Sequence, residues 1–484
     1  MTPITHGRPR SRNDYSTANQ RAFHRPTCFA LLLAVAATHV ASAANWPGWR
    51  GPKGDGTAPD AKNLPETWSV DKNIKWKQKM PAWSGSTPVV WGDKIFLNSP
   101  SEEEAKPAEP APPPDAAAAK GRKRPGASRG LAMNGPGGQD ILLLCLSRAT
   151  GKELWRTQYD RGNEIKMKQN MSSPTPVSDG KHVWVVSGNG MVACFDFNGN
   201  EKWKFDIPKH YGNLGVQFGY GSSPLLLDGK LFFQVLQGTV RRELPKHEPS
   251  FVFALNAADG KQLWRVERPT DAEFESPDAY STPTFVEVDR RKQVVVSGGG
   301  YVTGHDPATG KEIWRGGGLN PNASKNYRVI SSPLVNDGMI FAPTRVTPFL
   351  AYKAGGKGDI TNSHLAWKWT EKGAPDVPTP VSDGERLYMA DDQGAITCVN
   401  AKTGERIYGP EQTGIGRTSG SPILADGKIY LTSESTETAV VAAGPTFRLI
   451  AKNTLDGSYT LSTPAIVDGE IILRTGTHLY CISK

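Results

Sequence analysis

The sequence predicts an all-β fold, an eight-bladed β-propeller of four-stranded blades closed by an N-terminal strand. Three observations predict it. A Ser/Thr-Pro phrase recurs eight times. A Gly-x-x-x-aromatic phrase follows most of those copies. The last copy ends one strand short, while a spare β-rich segment, NIKWKQKM, precedes the first.

The first phrase is Ser/Thr-Pro, two or three apolar residues, a turn ending in Gly, then a β-rich run. STPVVWGDKIF at Ser86, SPLLLDGKLFF at Ser223, SPLVNDGMIF at Ser332 and SPILADGKIY at Ser421 are examples. The reference prolines are Pro88, Pro176, Pro224, Pro283, Pro333, Pro380, Pro422 and Pro464. After the first, their spacing of 42–59 residues suits one four-stranded blade per repeat. Asp-Gly between two β-rich runs is a two-residue hairpin turn, since both central residues need positive φ. The Pro falls at the start of the first strand, where a missing N–H does little harm.

The second phrase makes a second hairpin: TGKELW at Thr150, NGNEKW at Asn198, DGKQLW at Asp259, TGKEIW at Thr309 and TGERIY at Thr403. The ring lies on the outer strand and is expected to dock between neighbouring blades. The docking set is Trp76, Trp155, Trp203, Trp264, Trp314, Trp367 and Tyr408. Burying one such ring removes about 150–250 Å² from water. Two blades depart from the pattern. The fifth has a longer turn, Gly355 to Trp369, and the seventh offers Phe447 as its apolar contact, with Arg448 four residues after Gly444. Looser packing is expected there. Trp76, on the spare segment, supplies the ring that the last blade lacks, so the chain closes on itself and leaves no open sheet edge.

Cys145, Cys194, Cys398 and Cys481 fall at matching third-strand positions, where other blades carry Ala254 and Gly304. The position asks for a small residue. Matching positions on adjacent sheets are separated by roughly 10 Å, too far for a disulfide, so four buried thiols are expected. No CxxC or Cys/His metal spacing occurs.

The flanking segments read differently. Five arginines precede the apolar run CFALLLAVAA and the small-residue pattern Ala41-Ser42-Ala43, which reads as a secretion signal of residues 1–43 cleaved after Ala43. A short uncleaved anchor is the other reading of that run. The expected location is periplasmic or secreted, with no transmembrane segment in the mature chain. Residues 44–72 form a cap segment, and the propeller occupies 73–484. Residues 101–140, rich in Pro, Ala and charge, are too poor in apolar residues to fold alone. They read as a disordered insertion in the first blade, or as an adaptable contact arm. The formal charge is +9, of which the first 43 residues carry about +4. No Lys/Arg stripe or nucleic-acid motif is present, so nucleic acid is not an expected partner.

The phrase A-x-x-T-G-x-x-x-W, with S-P-V-x-x-D-G beside it, resembles the tryptophan-docking repeat of pyrroloquinoline-quinone (PQQ) propellers. That superfamily includes quinoprotein alcohol dehydrogenases and BamB-like assembly propellers. NWPGWRGPKGDG at Asn45 resembles the opening of PQQ-like propellers common in planctomycete bacteria. Residues before each Ser/Thr-Pro phrase lead into the innermost strands. They give a candidate ligand- or partner-binding ring on the top face: Trp83, Asn170, Tyr220, Tyr280, Arg328, Asp376, Arg417 and Tyr459. Ordinary turn residues around a wet channel are the alternative. The resemblance implies two functions. One is a non-catalytic binding or scaffold propeller, a monomer recruiting a protein or glycan partner in the cell envelope, with no cofactor. The other is a PQQ-dependent oxidoreductase of alcohols or sugars, using PQQ with Ca²⁺. The second needs a vicinal disulfide over the quinone, and the sequence has no Cys-Cys pair. Neither carboxylates (Glu275, Asp278, Asp376) nor histidines (His210, His247, His305, His364) form a recognisable catalytic or metal motif, so no catalytic residue and no metal ligand is assigned.

Overall fold

The computed structural model of the chain describes residues 45–103, 135–238, 249–345 and 347–484. The expected signal and the heart of the 101–140 insertion lie outside the described residues. Eight antiparallel sheets follow one another in chain order. Blade 3 shows the plan, with strands Leu225–Leu227, Lys230–Val235, Phe251–Asn256 and Gln262–Glu267 paired in sequence. Middle strands such as Phe251–Asn256 are buried on both faces because a blade packs on each side. They read as continuous apolar runs for that reason rather than as alternation. The core therefore lies between blades: Trp184 and Val186 of blade 2 pack with Leu231 and Phe233 of blade 3.

The two-residue Asp-Gly turn forms in blades 3, 5, 7 and 8, as at Asp426 and Gly427 with φ of 48° and 69°. Blades 2 and 6 solve the turn differently. There only Gly180 and Gly384 of the Asp-Gly pairs take positive φ. The Asp side chain does the remaining work: Asp179 Oδ1 accepts from the N–H of Lys181 and His182 at 2.8 and 2.7 Å.

The last blade is composite. Ile74–Lys79 pairs antiparallel with His478–Ile482, placing Trp76 opposite Cys481. The same register recurs around the ring. Cys145, Cys194, Ala254, Gly304, Ala351 and Cys398 stand opposite Trp155, Trp203, Trp264, Trp314, Trp367 and Tyr408. Each small residue makes room for a ring on the neighbouring strand, and a Cβ added at Gly304 would stand 2.1 Å from Trp314. These four cysteines are buried, and none forms a disulfide among the described residues.

Five indoles reach into the following blade. Nε1 of Trp76, Trp155, Trp203, Trp264 and Trp367 donates to the carbonyls of Arg148, Phe197, Ala257, Pro307 and Ala401 at 2.8–3.2 Å. Trp314 differs: its Nε1 donates to Gln293 Oε1 of its own blade at 2.7 Å. Blade 5 has no Gly turn to receive it, and Gly358–Asp359 instead pairs parallel with the outer strand of blade 4. Blade 7 corrects the expectation for Phe447. Ala451 occupies the docking register opposite Val440, while Phe447 receives Tyr408 of blade 6 edge-on at 6.0 Å.

The chain ahead of the closing strand crosses beneath the inner ends of the blades. Trp46 exchanges backbone hydrogen bonds with Val90 of blade 1, and Pro47 O accepts from Ser178 of blade 2. Thr57–Ala58 then pairs parallel with Leu424–Ala425 of blade 7. Between them lies the fully buried Arg50. Its guanidinium donates to the carbonyls of Thr379, Pro380, Pro422 and Asp55. Burial lowers its pKa to about 9. A Cβ at Gly56 would fall 2.3 Å from that guanidinium.

Candidate functional site

The Ser or Thr before each reference proline has a shared use. Its hydroxyl accepts the backbone N–H of the equivalent residue one blade earlier. The circle runs Thr87 to Thr175, Ser223, Thr282, Ser332, Thr379, Ser421 and Thr463, at 2.8–3.1 Å. Thr463 N–H closes it onto Thr87 Oγ1 at 3.3 Å. Proline after each residue fixes the chain direction into the inner strand, and the hydroxyl spares a buried amide from going unpaired. These eight contacts form a crown around the axis.

Above the crown is a cavity of about 390 Å³, within the range of small-molecule sites. Seven of the eight crown residues line it, all but Thr87. Trp49 lines both this cavity and a smaller one of about 140 Å³ on the far side. Thr282 and Ser332 line both cavities as well, so Trp49 and these two crown residues stand between them. Arg50, beside Trp49 at 5.7 Å from the ring, anchors that floor through the carbonyl clamp described above.

The rim is charged and aromatic. Two short strands, Ile165–Lys166 and Gln169–Asn170, form a hairpin whose residues Lys166 to Gln169 overhang the mouth. Lys168 Nζ reaches the buried Glu434 carboxylate at 2.6 Å, and Tyr459 OH donates to Lys168 O at 3.2 Å. Phe218 and Tyr280 stack at 6.1 Å to form one wall, and the Arg328 guanidinium sits 5.1 Å from the Phe218 ring. Arg328 also pairs with Glu275. Asp376 and Asp392 form the opposite wall. Burial, reinforced by Asp392, pushes the Asp376 carboxyl up to about 7. Its Oδ1 is enclosed and has no protein partner. Asp392 is raised too, mainly by burial, and its Oδ1 accepts the Val377 N–H at 3.2 Å.

Of the expected top-face ring, Tyr280, Arg328, Asp376 and Arg417 line the cavity. The other four are structural. Trp83 packs edge-on against Tyr459 at 5.5 Å. Asn170 Nδ2 donates to Trp83 O at 2.9 Å, and its Oδ1 accepts from Ser172. Tyr220 is buried in the core between blades 2 and 3. Those four precede the Ser/Thr-Pro phrase as the others do, but their side chains turn into the packing rather than toward the axis. Lys168, Phe218 and Asp392 join the site without a signal in the repeat. The crown had one: Ser or Thr before every reference proline. Trp49 stood out in the opening segment and belongs to the site as its floor.

No curated protein matches the chain. Among solved structures, BamB from Moraxella catarrhalis superposes with a TM-score of 0.52 at 11% identity, over 72% of this chain and 95% of that one. A quinohemoprotein alcohol dehydrogenase, ADHIIG from Pseudomonas putida HK5, superposes at 0.54 and 11% identity, over 91% of this chain and 80% of that one. The computationally designed Ika8 protein superposes at 0.53 and 10% identity, over 85% and 99%. At such identities the likeness is one of fold. A family model described as outer membrane protein assembly factor BamB matches residues 139–408 and 250–484. With matches that together run from 139 to 484, most of its length, this eight-bladed chain belongs to that BamB-like family of PQQ-type propellers.

Proposed function

We propose that this chain is an exported, non-catalytic binding propeller of the cell envelope, which recruits a protein or glycan partner across its channel mouth. The observation that carries the reading is the cavity above the crown. It has a fixed floor in Trp49, walls of hydroxyls and rings, and a rim of four cationic residues, Lys166, Lys168, Arg328 and Arg417. Such a cavity takes a group that projects from a larger partner. Membership of the BamB-like family supports a role in recruitment.

The alternative, a PQQ-dependent oxidoreductase, needs hard oxygen ligands around Ca²⁺. Among the described residues, no three His, Cys, Asp or Glu side chains gather to hold a metal ion. Asp376 and Asp392 are the carboxylates on the cavity wall, and Asp392 is already engaged by the Val377 amide. That donor set does not fit a quinone–Ca²⁺ pair, and no catalytic step is built on it.

The test is photo-crosslinking in the native envelope, with the probe placed at Met167, exposed on the mouth, or at Lys53 on the opposite face. A partner labelled from Met167 and not from Lys53 supports the reading. Equal labelling from both faces refutes the mouth as the binding face. A quinone chromophore retained after dialysis, with dye-linked alcohol oxidation, refutes the non-catalytic role.

A further inference from the structure

We propose that the cavity above the crown binds an acidic sugar residue, a pyranose ring carrying an anionic substituent, at the end or along the edge of a glycan. The inference rests on the reading of the channel mouth as the binding face and names the chemistry it selects.

The crown comes first. A hydroxyl offers one donor and two acceptor positions. Each crown hydroxyl spends one acceptor position on a neighbouring backbone N–H, and among the described residues none donates its own proton to a protein acceptor. Accepting a hydrogen bond polarises the O–H and makes it a better donor. The seven crown residues that line the cavity therefore present unspent O–H donors, and all but Thr379, which also accepts from Ser331, keep a lone pair beside the donor. Sugar hydroxyls, which both donate and accept, match such a surface. An Asp or Glu side chain of a peptide would engage few of them and leave most of the cavity empty.

The rings supply the second element. Trp49 lines the end shared with the lower cavity, and the Phe218–Tyr280 stack stands at the side. Flat apolar faces of this kind accept the C–H face of a pyranose, which buries area without demanding hydrogen bonds.

Charge supplies the third. Four cations and two carboxylates line the cavity. Lys166, Lys168 and Arg328 are paired with Glu164, Glu434 and Glu275. Arg417 is exposed and has no ion-pair partner among the described residues, so its fork of donors is open to a carboxylate or phosphate. Asp376 faces Asp392, Arg345, Arg328 and Lys168. With its carboxyl at about 7, it carries a proton through the mildly acidic range and then donates to a ligand oxygen; ionised, it repels the ligand's charge.

Titration calorimetry on the whole mature chain tests the proposal. The probes are a galacturonate trisaccharide, a neutral galactose trisaccharide, galactose 6-phosphate, inorganic phosphate and a poly-glutamate peptide. The galacturonate is expected to bind at least tenfold more tightly than the neutral sugar, with galactose 6-phosphate showing whether a phosphate ester serves as the anionic group. Arg417→Gln should weaken galacturonate at least tenfold and leave the melting temperature unchanged. Affinity should fall as pH rises from 6 to 8, and Asp376→Asn should flatten that dependence. Equal binding of charged and neutral sugars overturns the proposal, as does phosphate binding as tightly as galacturonate, or binding of poly-glutamate alone. If no sugar binds but the probe at Met167 still crosslinks a partner, the acidic-sugar proposal falls and the binding-face reading stands. If neither occurs, both fall.

Discussion

Trp264→Ala removes one of the rings that hold neighbouring blades together. The indole is 7% exposed, its Nε1 donates to Pro307 O of blade 4 at 3.2 Å, and it lies 5.8 Å from Phe232. It also lies flat on Gly310 of blade 4, where an added Cβ would stand 2.4 Å from the ring. A ring that buries ~150–250 Å² at ~25 cal/mol/Å² is worth about 4–6 kcal/mol. Measured truncations of buried aromatics run lower, about 3–5 kcal/mol, because the site partly collapses. The Pro307 carbonyl faces the blade surface and recovers water, so it adds little. A loss of about 4 kcal/mol is expected. A chain of this length need not unfold in a single step, so urea unfolding is paired with amide hydrogen exchange. The protection of Ala254 and Gly304, on the third strands of the two blades, should fall together. A loss under about 1 kcal/mol, the scale of ordinary surface substitutions, would refute inter-blade docking as the role of this ring.

Gly56→Ala should detach the N-terminal segment from the channel floor, because a Cβ meets the Arg50 guanidinium at 2.3 Å and the residue sits at φ 79°. The expected signature is tryptic cleavage at Arg50 in the variant and none in the parent. His305 is buried, with its Nδ1 at 3.0 Å from Gly310 O, and burial lowers its pKa to about 4. The folded state thus favours the neutral imidazole. Its contribution is full above the unfolded value of about 6.5 and drains away as pH falls toward about 4, a total of about 3 kcal/mol. His305→Gln should flatten the stability profile across that window, and an unchanged acid slope would contradict it. The four thiols, pushed up to about 12 by burial, should resist a thiol reagent at pH 8 in the native chain and all react in urea.

The blade count, the composite last blade and the small residue opposite each docking ring were readable in the sequence, because each follows from a repeated local rule. The Trp264 position is fixed by a Gly turn ahead of it and by the neighbouring blade's own Gly turn, and both are visible as letters. Trp314 escaped the rule because its neighbour replaced that turn with GGKGDI, and nothing local to Trp314 records what the next blade presents. Phe447 misled for a related reason: the bulge after Val440 is the one the other blades share, but the turn after Gly444 is longer, so the docking register falls at Ala451 rather than four residues after the Gly. The site was half legible. Position before the proline placed eight residues near the axis, but whether Tyr280 faces the cavity while Tyr220 turns into the core depends on rotamers and loop paths that no repeat encodes. Lys168 reached the rim through an inserted hairpin, outside the repeat altogether.

The order of segments along the chain also decides how the protein bears load. Ile74 and Ile482 lie at the same end of the closing strand pair. A pull on the two termini would therefore peel that pair one hydrogen bond at a time, the weak direction for a β-ladder. Tension entering from the N-terminal side meets a different structure first: the Trp46–Val90 bridge, then the Arg50 carbonyl clamp, then the Thr57–Ala58 strand. These sit upstream of Ile74 and fasten the chain to blades 1, 6 and 7. The floor of the cavity thus doubles as a strain relief for the seam, and a tether attached ahead of Asn45 could be tugged without opening the ring.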